Sequence, residues 1–310
     1  MNIIGLDSLV FGVEDFDDSV RALRDYGLRK VERLMEGAEY AALDGTSIEV
    51  RHSGDAGLPE AIGRSPNIRE TVYGVADQAA LEQIGAELGK DRPVFRDSEG
   101  TLHSRDDTGI AIAFRVTRRR PFQATPVLPN VPGLPPQRPV NVVASSHDSE
   151  ALPHSLSHVV YFVPDVDKAE RFYVERLGFR VVDRFTGVGP FLRPAGTLEH
   201  HTLFLIQAPA HMAGINHFTF HFSGPNDLLK AGWHFANKGW KSFWGPGRHI
   251  FGSNYFWYFN SPFGGAFEFD ADMDLHDDSW VPRETPANSV TSQIFLFDYR
   301  PLWSPNGDPH

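Results

Sequence analysis

The sequence predicts an α+β fold in which four copies of one strand–helix–strands unit pair into two domains. Three observations carry that expectation. The same order of hydrophobic patterns recurs four times along the chain. A proline-rich stretch separates the second copy from the third. The 310 residues also exceed what a single core usually serves.

The first copy starts at Leu6, where LDSLVFGVEDFDDSVRALRDYGL reads as strand, acidic turn and helix, and it closes with the strand GTSIEV at Gly45. The second runs from Asn67 as NIRETVYGVADQAALEQIGAELG and closes with TGIAIAFRV. The third is the clearest and begins SLSHVVYFVPDVDKAERFYVERLGFRVVDRF at Ser155. Val159, Tyr161 and Val163 alternate there with His158, Val160 and Phe162, the period of a strand with two faces. Asp165 and Asp167 stand where a helix start favours negative charge. Ala169, Phe172, Tyr173 and Leu177 then follow at helical spacing. The fourth copy runs from Gly214 as GINHFTFHFSGPNDLLKAGWHFANKGW and closes with GGAFEFDADMD. Each unit is too small to bury its own sheet, so pairing is the expected solution.

These limits divide the chain into an N-terminal two-module domain over 1–118, a linker over 119–153, a C-terminal two-module domain over 154–275 and an extension over 276–310. Pro121, Pro126, Pro129, Pro132, Pro135, Pro136, Pro139 and Pro153 make the linker an extended spacer. The segment SQIFLFDYRPLW in the extension is apolar enough to pack on the body.

Composition narrows the chemistry. Without any cysteine, disulfides, thiolate metal sites and cysteine nucleophiles are excluded, so any metal must sit on histidine and carboxylate. A net charge of −11 argues against nucleic acid, because Arg118, Arg119 and Arg120 form the only basic run. No apolar run is long enough for a membrane span, and the amino terminus does not read as a signal peptide, so a cytoplasmic location is expected. Twelve of the fourteen histidines lie at or beyond His147, as do all six tryptophans. Function is therefore expected in the second half.

Aligned on their first strands, the copies place Ser8, Glu70, His158 and His217 at one equivalent position. Aligned on their closing strands, they place Glu49, Ala113 and Glu268 together. Phe218, Phe220 and Phe222 share one strand face, leaving His217, Thr219 and His221 on the other. Phe267 and Phe269 likewise leave Glu268 on the opposite face. Two imidazoles and one carboxylate then point to the concave side of a curved sheet, the ligand set that holds non-haem Fe(II) for oxygen activation. A single strand histidine is more often structural. Two at equivalent positions with a matching carboxylate reverse that balance. Glu49 reads as an ordinary strand residue, and Asp270 and Asp272 read as solvated turn residues. His221 reads as a supporting or buried hydrogen-bonded group. Phe243, Trp244, Phe251, Tyr255 and Trp257 suit an aromatic-lined pocket or the core equally well.

The repeated unit resembles the βαβββ module of the vicinal oxygen chelate superfamily, with its glyoxalase-like fold. The second half resembles the catalytic domain of type I extradiol dioxygenases, the family of 2,3-dihydroxybiphenyl 1,2-dioxygenase and catechol 2,3-dioxygenase. LSHVVYFV, INHFTFHF and SPFGGAFEFD resemble that family's three ligand strands. In GRHIFGSNYFWYFNSPFGGAFEF, His249, Tyr258 and Glu268 keep its spacing of nine and then ten residues, and EHHTLFLI resembles its strand with a supporting histidine, His201 matching better than His200. The resemblance implies that His158, His217 and Glu268 hold Fe(II), or Mn(II) as in a minority of relatives. It implies His201 as the acid/base group, and His249 and Tyr258 as hydrogen-bond partners of substrate and ring-opening intermediate. The implied enzyme inserts both atoms of O2 into a substituted catechol during aromatic catabolism, with a homo-oligomer the expected assembly and no nucleic acid or membrane partner. Two alternatives are a glyoxalase-type lyase or isomerase, which would add a carboxylate or amide ligand, and a metal-free binding member of the same fold. The linker and extension look longer than the family's usual connections.

Overall fold

In a computed structural model, the described residues are 1–32, 36–63, 67–124, 128–146 and 149–298. Four βαβββ modules follow one another. The first comprises β1 (Ile3–Val13), α1 (Phe16–Tyr26), β2 (Arg29–Lys30), β3 (Ala38–Ala41) and β4 (Ser47–His52). The second comprises β5 (Asn67–Val75), α2 (Gln78–Leu88), β6 (Phe95–Arg96), β7 (Leu102–Arg105) and β8 (Ala111–Val116). The third has β9 (Ser155–Val163), α3 (Val166–Arg171), β10 (Phe179–Thr186), β11 (Gly189–Pro194) and β12 (Leu203–Gln207). The fourth has β13 (Gly214–His221), α4 (Pro225–Asn237), β14 (Ser242–His249), β15 (Tyr255–Asn260) and β16 (Ala266–Ala271).

The acidic turns act as helix caps. Asp15, Asp77 and Asp165 each accept a hydrogen bond from the backbone N–H three residues on, satisfying donors that a helix start leaves free. In the third module α3 is shorter than its spacing predicts, because Phe172–Arg176 widens into a π-helical turn. The buried face nevertheless keeps Ala169, Phe172, Tyr173 and Leu177.

The first two modules share one sheet in the order β2-β3-β4-β1-β5-β8-β7-β6. Modules three and four share a second, β17-β10-β11-β12-β9-β13-β16-β15-β14-β18, whose outer strands β17 (Arg283–Pro286) and β18 (Gln293–Leu296) come from the C-terminal extension. The extension thus packs on the body as expected, covering both edges that modules three and four would otherwise leave unpaired. The rest of SQIFLFDYRPLW, from residue 299 on, lies outside the described residues, as do Pro126 and His147 in the linker. The described linker residues carry no strand or helix. No described helix is long and apolar enough to cross a membrane.

Strand pairing stops at the linker, but burial does not. One apolar cluster runs from Ile3 through Ile84 and Phe172 to Ala271. Tyr26 at the end of α1 stacks on Phe267 and Phe269 of β16, with ring centroids 5.1 and 4.2 Å away. The helices of one half are therefore core for the sheet of the other.

Candidate metal centre

The register of the second sheet brings the predicted ligands together. Antiparallel pairing of β9 with β13 sets His158 against Thr219 and Val160 against His217. Parallel pairing of β13 with β16 sets Thr219 against Glu268. His158, Glu268 and His217 therefore emerge from three adjacent strands on one face, while Phe218, Phe220, Phe267 and Phe269 fill the core on the other. The ligand atoms of His158, His217 and Glu268 all lie within 4.8 Å of one another. His158 Nε2 is 3.0 Å and His217 Nε2 3.3 Å from Glu268 Oε2. Ligand atoms at right angles around an ion, each ~2.1 Å from it, stand roughly 3 Å apart.

The electrostatics suit a cation. Burial alone would raise the Glu268 carboxyl, but His158, His217 and His249 outweigh it and hold the group well below the usual carboxylate range. Burial pushes the His217 imidazole down, against the pull of Glu268, so it stays neutral with a lone pair to offer. Glu268 Oε1 is buried without a hydrogen-bond donor in bonding geometry, with His249 Nε2 3.4 Å away. A fully buried carboxylate with an unsatisfied oxygen, facing two imidazole nitrogens, fits a divalent metal and is costly without one.

The remaining predicted residues border the same space. His201 lies with its ring centroid 4.1 Å from that of His158. Burial, followed by the neighbouring His158 and His200, holds it well below the usual histidine range. Tyr258 Oη is 3.4 Å from His249 Nε2. Burial and then the Glu268 charge push the Tyr258 phenol well above its ordinary value, which keeps it a donor. His249 Nδ1 donates to the Ser292 carbonyl of the extension at 3.2 Å.

The cavity in front of the triad is about 460 Å³. Its far wall is the aromatic cluster Phe185, Phe191, Phe204 and Phe251, with Val160 beside it. Of the aromatics singled out in the sequence, Phe243, Trp244 and Phe251 do line the cavity. Trp257 instead points to the core, bonded to Ser242 Oγ at 2.7 Å, and Tyr255 stacks under Arg248. Phe185, Phe191 and Phe204 escape sequence reasoning, since nothing in a strand pattern says which aromatic face meets a cavity.

One expectation is overturned. Asp270 is not a solvated turn residue: it lies on β16, fully buried, one strand period beyond Glu268. Its Oδ2 accepts from Ser157 Oγ at 3.2 Å, and its Oδ1 takes His221 Nδ1 at 2.6 Å. Ser157 Oγ in turn lies 3.0 Å from His158 Nδ1. The strand continues through Asp270 and Ala271 of the turn-like DADMD ending, so the carboxylate backs His158 through Ser157, the kind of support that a metal-ligating histidine usually has. His221 is indeed the hydrogen-bonded group expected, and Asp272 is exposed at a positive φ of 61°.

Paired βαβββ modules around a buried His–His–Glu triad that could hold a metal ion define a fold of the vicinal oxygen chelate type. A model of the Glyoxalase/Bleomycin resistance protein/Dioxygenase superfamily matches residues 155–269. Metapyrocatechase 2 of Cupriavidus necator is 31% identical over 231 residues, which is 74% of this chain and 68% of that protein. Among solved structures, the Mn(II)-bound glyoxalase from Novosphingobium aromaticivorans superposes with a TM-score of 0.74 at 18% identity, covering 94% of this chain and 90% of that one. The 2,2',3-trihydroxybiphenyl 1,2-dioxygenase from Sphingomonas wittichii strain RW1 superposes with a TM-score of 0.70 at 19% identity, covering 96% and 99%. At those identities the two solved structures speak for the fold alone. The chain belongs to the extradiol dioxygenase family of this superfamily, a family of metal-dependent ring-cleaving enzymes.

Proposed function

We propose that this chain opens a substituted catechol with O2 at one Fe(II), or alternatively Mn(II), held by His158, His217 and Glu268. The observation that carries the reading is the strand position beside the triad. In module four the closing strand supplies Glu268, whereas register places Phe204 of β12 at the equivalent point of module three, opposite Val160. A glyoxalase-type site would draw a further ligand from that strand. An apolar Phe204 offers no further ligand, so His158, His217 and Glu268 would hold the metal with room left for substrate.

A bound divalent ion favours the catecholate anion over neutral catechol and brings it together with O2. The chain's own groups do the rest. His201, neutral and lining the cavity, would take the proton of a catechol hydroxyl. His249 and Tyr258, on the opposite side, hydrogen-bond the hydroxyl and the opening product, with the phenol as donor. The aromatic wall excludes bulk water and holds the ring. The ring bond beside the diol breaks, both oxygen atoms of O2 enter the product, and no external electron donor is needed. Oxygen uptake by anaerobically reconstituted Fe(II) protein, with a panel of catechols, tests this. One O2 consumed per yellow, ring-opened product without NADH is expected. Strict dependence on a reductant, or glutathione-dependent turnover without oxygen, would place the chain elsewhere.

A further inference from the structure

His200 is fully buried beside the site, yet nothing in the proposed reaction uses it. Its Nε2 lies 2.8 Å from Asp183 Oδ2 on β10, and its Nδ1 lies 3.0 Å from His201 Nδ1. Asp183 is also fully buried and is held by Arg283 of the extension. The Arg283 backbone N–H donates to Oδ1 at 2.8 Å, and its guanidinium donates to Oδ2 at 2.5 Å.

Hydrogen-bond accounting along this chain has one solution. Burial would raise the Asp183 carboxyl, but His200 and Arg283 together bring it below its ordinary value, so it only accepts. His200 Nε2 must then carry a proton. Burial pushes the His200 imidazole down despite Asp183, leaving it neutral, so its Nδ1 is a lone pair. Two ring nitrogens 3.0 Å apart need one N–H between them, and only His201 Nδ1 can supply it. The free lone pair of His201 is then on Nε2, the nitrogen turned away from His200 in a residue that lines the cavity.

We infer that Arg283, Asp183 and His200 form a positioning chain by which the C-terminal extension presents His201 to the cavity in the one tautomer able to accept a substrate proton. The same extension fixes His249, because a carbonyl only accepts and Ser292 therefore requires the proton on His249 Nδ1. The inference rests on reading His201 as the proton acceptor, but the tautomer itself can be measured without turnover.

Metal-free protein labelled with ¹⁵N-histidine, observed by long-range ¹H–¹⁵N correlation, reports which ring nitrogen carries the proton. His201→Gln assigns the signal. The wild type is expected to show His201 protonated on Nδ1. In Asp183→Asn the Arg283 backbone N–H, fixed by strand pairing, keeps the amide oxygen at the Oδ1 position, and the part-exposed Arg283 guanidinium must withdraw from the NH2 that takes the Oδ2 position and faces His200 Nε2. His200 then turns donor at Nδ1, and His201 is forced to carry its proton on Nε2. Turnover should fall about 10²–10⁴-fold, the worth of a positioned acid/base group, while KM and bound Fe(II) stay within about threefold. Should Asp183→Asn fail to fold, substitutions of His200 decide. A glutamine in its place can donate to Asp183 and accept from His201, so His200→Gln should retain most of the turnover that His200→Leu loses. A wild-type His201 protonated on Nε2, an Asp183→Asn protein unchanged in tautomer and rate, or equal rates for His200→Gln and His200→Leu would overturn the inference. The expected tautomers in a protein that cleaves no catechol would sustain the positioning chain and sink the proposed function.

Discussion

The two halves of this molecule are the same framework carrying different residues. In the C-terminal half His158 opposes Thr219 and Val160 opposes His217. In the N-terminal half Ser8 opposes Val72 and Val10 opposes Glu70 in the same relation. The closing strands repeat it: Ala113 pairs with Val72 as Glu268 pairs with Thr219, and Glu49 pairs with Val10 as Phe204 pairs with Val160. The N-terminal counterpart of the triad is thus Ser8, Glu70 and Ala113, which leaves Glu70 alone as a metal-ligating type. Glu70 has turned to structural use, bonding His103 Nδ1 at 2.9 Å. Backbone register supplies converging positions in both halves, and only the side chains decide whether they bind. The N-terminal half still serves the site from behind. Tyr26 Oη donates to the Glu268 carbonyl at 2.5 Å and accepts from the Phe220 N–H at 3.3 Å.

Changing residues in either half tests that contrast. The largest effect is expected from His158→Ala, His217→Ala or Glu268→Ala, each removing the bound metal, Fe(II) or Mn(II), and all activity, because a three-ligand site cannot spare a partner. Elemental analysis checks this, and stoichiometric metal retained in all three would refute the assignment. Next comes His201→Gln, which should keep its metal and lose about 10²–10⁴-fold in turnover; steady-state kinetics at wild-type rate would return His201 to a structural role. Tyr258→Phe keeps the ring and loses one donor, so binding or rate should weaken by roughly 1–3 kcal/mol with metal content intact. Tyr26→Phe should cost a similar ~1–3 kcal/mol in urea unfolding, from a buried Phe220 N–H that loses the Tyr26 acceptor and a Glu268 carbonyl left with Thr219 Oγ1 as its side-chain donor. Full stability in that variant would remove the N-terminal half from support of the site.

The smallest effect is expected from Glu70→Gln, which should alter neither metal nor turnover and cost less than ~1 kcal/mol. Glu70, followed by Asp97, raises the His103 imidazole above its ordinary value. A raised folded value contributes stability that is full below the unfolded histidine pKa and is lost as pH rises through the folded one. The Tm difference between wild type and Glu70→Gln should therefore shrink from roughly pH 5 to roughly pH 9. A difference that grows with pH would mean that His103 is not charged by Glu70.

The modular repeat, its four first strands and the triad were all legible in the amino-acid sequence. Strand period fixes which face a side chain takes, and repetition supplied an internal alignment that made His158 and His217 equivalent. Capping by Asp15, Asp77 and Asp165 was readable for the same local reason. The supporting chemistry was not. Asp270 looked like part of a turn, because local composition does not tell where a strand gains a neighbour. The partnership of His200 with Asp183 spans 17 residues, and that of Asp183 with Arg283 spans 100. Strand periodicity assigned residues to a face, while only the packing of distant strands decided which polar groups on that face were sealed from water and had to find one another.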